Sequence, residues 1–178
     1  MRILEVRRHS MRTKSGQHLF QAGVALARHL GDEIGPFDRV VTSTIPRAFE
    51  TAIAMGFAVD EQCEQLSTMG DDVDAEIQRP ASFAQVAQAI RQGGAAARFA
   101  QEQVELWRSL LVALPEGGRV LVVTHGGLVK AGAVACLPDA DHSRWGPVCD
   151  YCEGVRLYFD GQQFTTAEIL RMKHDDVS

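Results

Sequence analysis

The chain has 178 residues, 46 % of them hydrophobic and 23 % charged, and a formal net charge of −5, a composition that suits one globular domain with a sizeable core. This acidity excludes a general nucleic-acid or membrane-surface binder, which needs a basic face, and four unevenly spaced cysteines, Cys63, Cys136, Cys149 and Cys152, do not make a disulfide framework. No apolar run approaches the ~20 residues of a membrane span, and the N-terminal "MRILEVRRHS" lacks the length and cleavage site of a secretory signal, so a cytoplasmic protein is expected.

In chain order, residues 3–6 form a short apolar run that reads as a strand. "HLFQAGVALARHLG" (18–31) follows as a helix with Val24, Leu26, Ala27 and Leu30 on one face and Gly31 closing it. The β-branched "FDRVVTS" then leads into "TIPRAFETAIAMG", where Ser43 or Thr44 can cap a helix that tolerates Pro46 in its first turn. Residues 57–94 read as a helical and loop excursion at the surface, "EQLSTMGDDVDAE" being loop and "SFAQVAQAIRQ" a short helix. "AAARFAQEQVELWRSLLVALPEGG" is the clearest helix, its Phe99, Gln103, Trp107, Leu110 and Leu114 stripe facing the core. "RVLVVTHGG" is a strand of the doubly covered kind running into a helix at 128–137, and residues 154–170 read as a hairpin turning at Asp160-Gly161. The expected fold is a single-domain, three-layer α/β/α sandwich with a mainly parallel central sheet and an antiparallel edge element.

In such sheets ligands bind beyond the carboxyl ends of the strands. Three strands end in candidates here: the first in Arg8 and His9, the second in Ser43 with Arg47 one helical turn on, and a later one in His125. Two guanidiniums and two imidazoles on one edge suit a tetrahedral dianion, because the arginine fork pairs with two phosphate oxygens at once. Taken singly, Arg47 reads equally as a surface helix residue and His125 as a core histidine; their shared placement after strands turns the reading toward a phosphoryl pocket. Arg7, Arg12 and Lys14 read as solvated loop charges.

"RHS" at 8–10, "TSTIPRAFETA" at 42–52 and "VTHGG" at 123–127 together resemble the histidine phosphatase superfamily, the group with the phosphoglycerate mutase-like fold. The resemblance implies that His9 is the nucleophile, forming a phosphohistidine, and that Arg8, Arg47 and His125 hold the phosphoryl oxygens. The residue types suit that chemistry in themselves: a neutral imidazole can attack phosphorus in line, and preorganised cations stabilise the transferring group with no metal or cofactor required.

Relatives that cleave alkyl esters carry a glutamate as leaving-group acid, where Thr68 stands in this chain. Asp71, Asp72 and Glu64 are the nearby candidates for that role; otherwise the substrate is one that needs no acid, such as a phosphoamidate or an activated ester. Ser15 stands where relatives often show a phosphate-binding asparagine. The resulting expectation is a hydrolase acting on a phosphorylated small molecule or a phosphohistidine-bearing protein. The alternatives are a phosphoglycerate or phosphosugar mutase, and a phosphate-recognising regulatory module with little turnover. A metal site at His142, Cys149 and Cys152 lacks a fourth donor, so these thiols read as structural.

Overall fold

The computed structural model describes residues 1–147 and 149–173. Its elements are β1 (Arg2–Arg8), α1 (Gln21–Gly31), β2 (Arg39–Thr42), α2 (Pro46–Ala54), β3 (Glu61–Gln62), α3 (Asp71–Glu76), α4 (Phe83–Arg91), α5 (Ala95–Val112), β4 (Arg119–Thr124), α6 (Gly126–Cys136), β5 (Gly154–Phe159) and β6 (Phe164–Leu170). The strands form one sheet in the order β3-β2-β4-β1-β5-β6. β1 and β2 pair parallel with β4, β3 pairs parallel with β2, and β5 and β6 run antiparallel at the other side.

The sheet is apolar on both faces because helices cover both, which is why β1 and β4 read as near-continuous hydrophobic runs. On one face α1 and α2 bury Leu26, Leu30, Ala48 and Ala52 against Val40, Leu121 and Val123. On the other, Trp107 and Leu111 of α5 and Val129 and Ala133 of α6 pack on Leu4, Val6, Val120, Val122 and Leu157. None of the described helices is long and apolar enough to cross a membrane.

Several local expectations change. Gly31 lies in the last turn of α1, where a Cβ would sit 2.0 Å from the Met55 carbonyl oxygen, so it permits the crossing of α1 and α2 rather than a left-handed stop. α2 is preceded by Ile45 with no side-chain cap: the Ser43 hydroxyl is committed to His125 and the Thr44 hydroxyl to Glu64 and Ser67. The excursion carries the short helix expected in its later part, α4, and a further one where loop was expected. Its acidic "DDVD" run forms the first turn of α3, where carboxylates favour the positive end of the helix dipole. α4 opens with a reciprocal Ser82–Gln85 capping box. Met69, Val73, Ile77 and Val86 then bury themselves against Phe99 of α5 and Leu128 of α6, so this segment becomes a wall beside the carboxyl edge of the sheet.

Candidate active site

The parallel register brings the ends of three strands together: Arg8 lies opposite Thr124 of β4, and Thr42 of β2 opposite Val123. The chain continues that alignment one residue further, with the His9 amide donating to the Thr124 carbonyl at 2.8 Å. Ser10, fully buried, anchors the backbone just beyond His9. Its amide donates to the Thr51 hydroxyl at 2.9 Å and its own hydroxyl to the Gly23 carbonyl at 2.7 Å. His9 is thus fixed between α1, α2 and β4.

Both ring nitrogens of His9 have partners that agree on one tautomer. Nδ1 lies 2.8 Å from the Ser10 carbonyl oxygen, which can only accept, so Nδ1 carries the proton. Arg47 Nε donates to Nε2 at 3.1 Å, which therefore presents its lone pair. Burial first, then the charges of His125, Arg47 and Arg8, pull the His9 pKa from 6.5 down to about 3, against the opposing pull of the Ser10 hydrogen bond. The ring is neutral at physiological pH.

His125, the residue preceding α6, lies with its ring centroid 5.2 Å from that of His9. Its Nε2 shares a 2.8 Å hydrogen bond with the Ser43 hydroxyl, and its Nδ1 is buried without a partner among the described residues. Burial, followed by Arg47 and Arg8, lowers its pKa to about 4. Arg8 donates from Nη1 to the Cys149 carbonyl at 2.9 Å and lies 4.2 Å from the centroid of the Tyr151 ring, a cation–π contact that holds the guanidinium in place. Arg47, half-buried, has its pKa depressed by burial and by Arg12 and Arg8. Cations thus crowd one another here, and an anion would relieve the strain.

These groups line a cavity of about 680 Å³, together with Arg12, Thr68, Asp74, Arg79 and Lys130. Arg8, His9, Arg47 and His125 are therefore brought together as the sequence suggests, but other candidates are not. Asp71 and Asp72 line a separate depression with Arg98 and Glu102, because the first turn of α3 directs them away from the cleft. Glu64 accepts from the Thr44 hydroxyl at 2.5 Å. Ser15 sits in an exposed turn with its hydroxyl 2.5 Å from the Lys14 carbonyl and is not among the residues lining the cavity.

Two cations that read as solvated in the sequence are otherwise placed. Arg12 lines the cleft, and Arg7 is only 4 % exposed, its Nε 2.6 Å from Glu5 and its Nη1 donating to the Cys152 carbonyl at 2.8 Å. The roles of Tyr151, Asp74, Arg79 and Lys130 were not legible. Tyr151 reaches the site because β5 pairs antiparallel with β1, which lays the residues before Gly154 beside Arg8. Burial raises the Cys149 thiol to about 12 and the Cys152 thiol to about 11. His142 is committed to the Leu137 carbonyl at 2.9 Å, and among the described residues no cluster of three His, Cys, Asp or Glu could hold a metal ion.

Chemically, a neutral imidazole offering Nε2 to a ring of guanidiniums is equipped to hold and attack a tetrahedral oxyanion, at the sheet edge where α/β proteins bind ligands. The chain matches the histidine phosphatase superfamily (branch 1) over residues 5–170, and it belongs to that family. No curated protein sequence matches it. Among solved structures, a phosphoserine phosphatase from Entamoeba histolytica superposes with a TM-score of 0.71 at 15 % identity, covering 98 % of this chain and 99 % of that one. A mycobacterial glucosyl-3-phosphoglycerate phosphatase gives 0.68 at 21 % identity, over 96 % of this chain and 98 % of its own. A phosphoglycerate mutase from Bacillus anthracis gives 0.65 at 18 % identity, over 92 % of this chain and 90 % of its own. At these identities the likeness is one of fold, shared by phosphatases and a mutase alike.

Proposed function

We propose that the chain is a phosphatase that hydrolyses a phosphomonoester or phosphoamidate through a phosphohistidine on His9. The observation that carries this reading is the doubly specified tautomer of His9, with Nδ1 bound to the Ser10 carbonyl at 2.8 Å and Nε2 facing Arg47 at 3.1 Å. An arriving phosphoryl group draws the Arg47 fork onto its oxygens and frees the Nε2 lone pair. Nε2 then forms a bond to phosphorus as the bond to the leaving oxygen or nitrogen breaks. Water attacks the phosphohistidine next, the N–P bond breaks toward the ring, and inorganic phosphate leaves with His9 neutral again. Arg8, Arg47 and His125 face the charge on the equatorial oxygens, so the reaction as proposed calls on no metal.

With Thr68 in place of a glutamate and Asp71 and Asp72 facing elsewhere, the carboxylate at the cleft is Asp74, which is engaged by Arg79. Leaving groups that depart without a carboxylic acid are accordingly favoured: aryl esters, and P–N bonds such as phosphohistidine on a small molecule or a protein. General acid help is typically worth ~10²–10⁴ in rate, so simple alkyl esters should lag by about that factor. The test is turnover of 4-nitrophenyl phosphate, labelled in its phosphoryl group, between pH 5.5 and 7, with quenching in alkaline denaturant to trap labelled protein. His9→Ala should lose both turnover and an acid-labile phosphoryl label. Transfer of the label to an added sugar alcohol in preference to water would favour a mutase, and a wild-type protein that binds phosphate without turnover would favour a recognition module.

A further inference from the structure

Lys130 lies on α6, five residues beyond His125, and lines the same cavity at only 8 % exposure. Among the described residues no carboxylate pairs with it; its Nζ donates to the Ala81 carbonyl at 2.5 Å. A buried ammonium without a counter-ion is costly, and desolvation together with Arg8 and Arg79 depresses its pKa. Such a charge is tolerable where the missing anion arrives with a ligand.

Arg79 supplies an independent second observation. Asp74 pairs with its Nη2, which lies 4.0 Å from where a Cβ on Gly127 would stand, in the first turn of α6. The guanidinium thereby arches from the segment before α4 toward the helix that carries Lys130. The cavity as a whole is lined by four arginines, Arg8, Arg12, Arg47 and Arg79, and by Lys130, against the carboxylate of Asp74, with Asp150 3.8 Å from Arg8. One phosphoryl dianion leaves part of that charge unanswered. Met69, Ile77, Val86 and Leu128 line the cavity as well, so the ligand between its charged ends meets apolar side chains.

We propose that Lys130 and Arg79 form a second anion subsite, so that the site takes phosphorylated molecules bearing a further anionic group, a carboxylate or phosphate, on a compact, partly apolar skeleton. This rests on the phosphatase reading for the phosphoryl end only. Two non-hydrolysable probes isolate the second end: benzylphosphonate and 4-carboxybenzylphosphonate, titrated calorimetrically into the wild-type protein. The carboxylated probe should bind roughly tenfold tighter or more, the scale of a charge-assisted hydrogen bond. Its 3-carboxy isomer and a para-bisphosphonate then report which anion, at which distance, the subsite prefers.

Lys130→Met and Arg79→Gln should each reduce the ratio of the two affinities toward one. That ratio is read only from folded molecules, and Arg79 is an exposed position whose replacement leaves the buried core alone. Equal wild-type affinity for both probes, no binding of either, or a preference that survives Lys130→Met overturns the subsite. Since none of these readouts needs turnover, equal affinities alongside an active His9 would discard the subsite and keep the phosphatase.

Discussion

His9, buried, and His125, half-buried, are held as neutral rings beside permanent cations, and that choice ties stability to pH. An unfolded histidine titrates near 6.5, whereas burial and the neighbouring arginines hold these two at about 3 and about 4. Between those values the unfolded chain binds protons that the folded chain refuses. Their contribution is therefore complete above about pH 6.5 and is lost as pH falls toward 4, at up to about 1.4 kcal/mol per pH unit for each ring. Urea unfolding at pH 7, 6 and 5 should show a shallower loss for His125→Gln than for the wild type; parallel lines would contradict the burial of a neutral imidazole. Millimolar phosphate should recover part of the loss, because the folded state alone binds it. At this scale the sequence revealed four residues placed by strand ends: Arg8 closing β1, His9 just after it, Arg47 in the first turn of the helix that follows β2, and His125 just after β4. Arg79 and Tyr151 escaped notice because neither follows a parallel strand, each reaching the site through the packing of another segment, and Lys130 because it stands a further turn into α6, away from the strand end.

The helices that frame the site depend on close approach, and α5 against α6 shows how. Trp107 is fully buried, and a Cβ on Gly132 would fall 2.2 Å from its ring. The ring is not free to swing: its Nε1 donates to Gln103 at 3.1 Å, and Gln103 donates to the Gln65 carbonyl at 2.8 Å. Gly132→Ala gains ~1 kcal/mol of helix propensity but must overpack the core, at ~1–3 kcal/mol. Net destabilisation of up to about 2 kcal/mol is expected, measured as a lower urea midpoint with an unchanged slope; a more stable variant would mean the indole yields. The amphipathic pattern made α5 plain in the sequence, yet the reason for a glycine inside α6 lies on the other helix. The same limit explains residues 64–76, whose polar, acidic composition reads as loop. Only the apolar pocket offered by Phe99 and Leu128 makes a short helix there worth forming.

Across the whole molecule, a charged chain runs through the sheet and ends at the site. Glu168 on the edge strand β6 pairs with Arg156 of β5 at 3.0 Å, Arg156 pairs with Glu5 of β1 at 3.0 Å, and Glu5 pairs with Arg7 at 2.6 Å. Arg7 then donates to the Cys152 carbonyl at 2.8 Å, in the segment whose Cys149 carbonyl and Tyr151 ring hold Arg8. Arg7 reads as a solvated charge from sequence because nothing local shows that β5 will cover β1 and bring Arg156 opposite Glu5. Glu5 has no exposed surface, and its carboxylate answers two guanidiniums at once. Glu5→Gln would leave buried Arg7 without a carboxylate, where removing one partner of a buried pair costs ~3–5 kcal/mol; Arg156 keeps Glu168 and some solvent, so about 3 kcal/mol is expected. Glu168→Gln, at the exposed end of the same chain, should cost at most about 1 kcal/mol. Paired urea unfolding and phosphate titrations check both terms: Glu5→Gln should also bind phosphate more weakly, as the segment holding Arg8 loosens. Equal stability losses for the two variants would show that the network is merely decorative, and undiminished phosphate affinity in Glu5→Gln would sever it from the site.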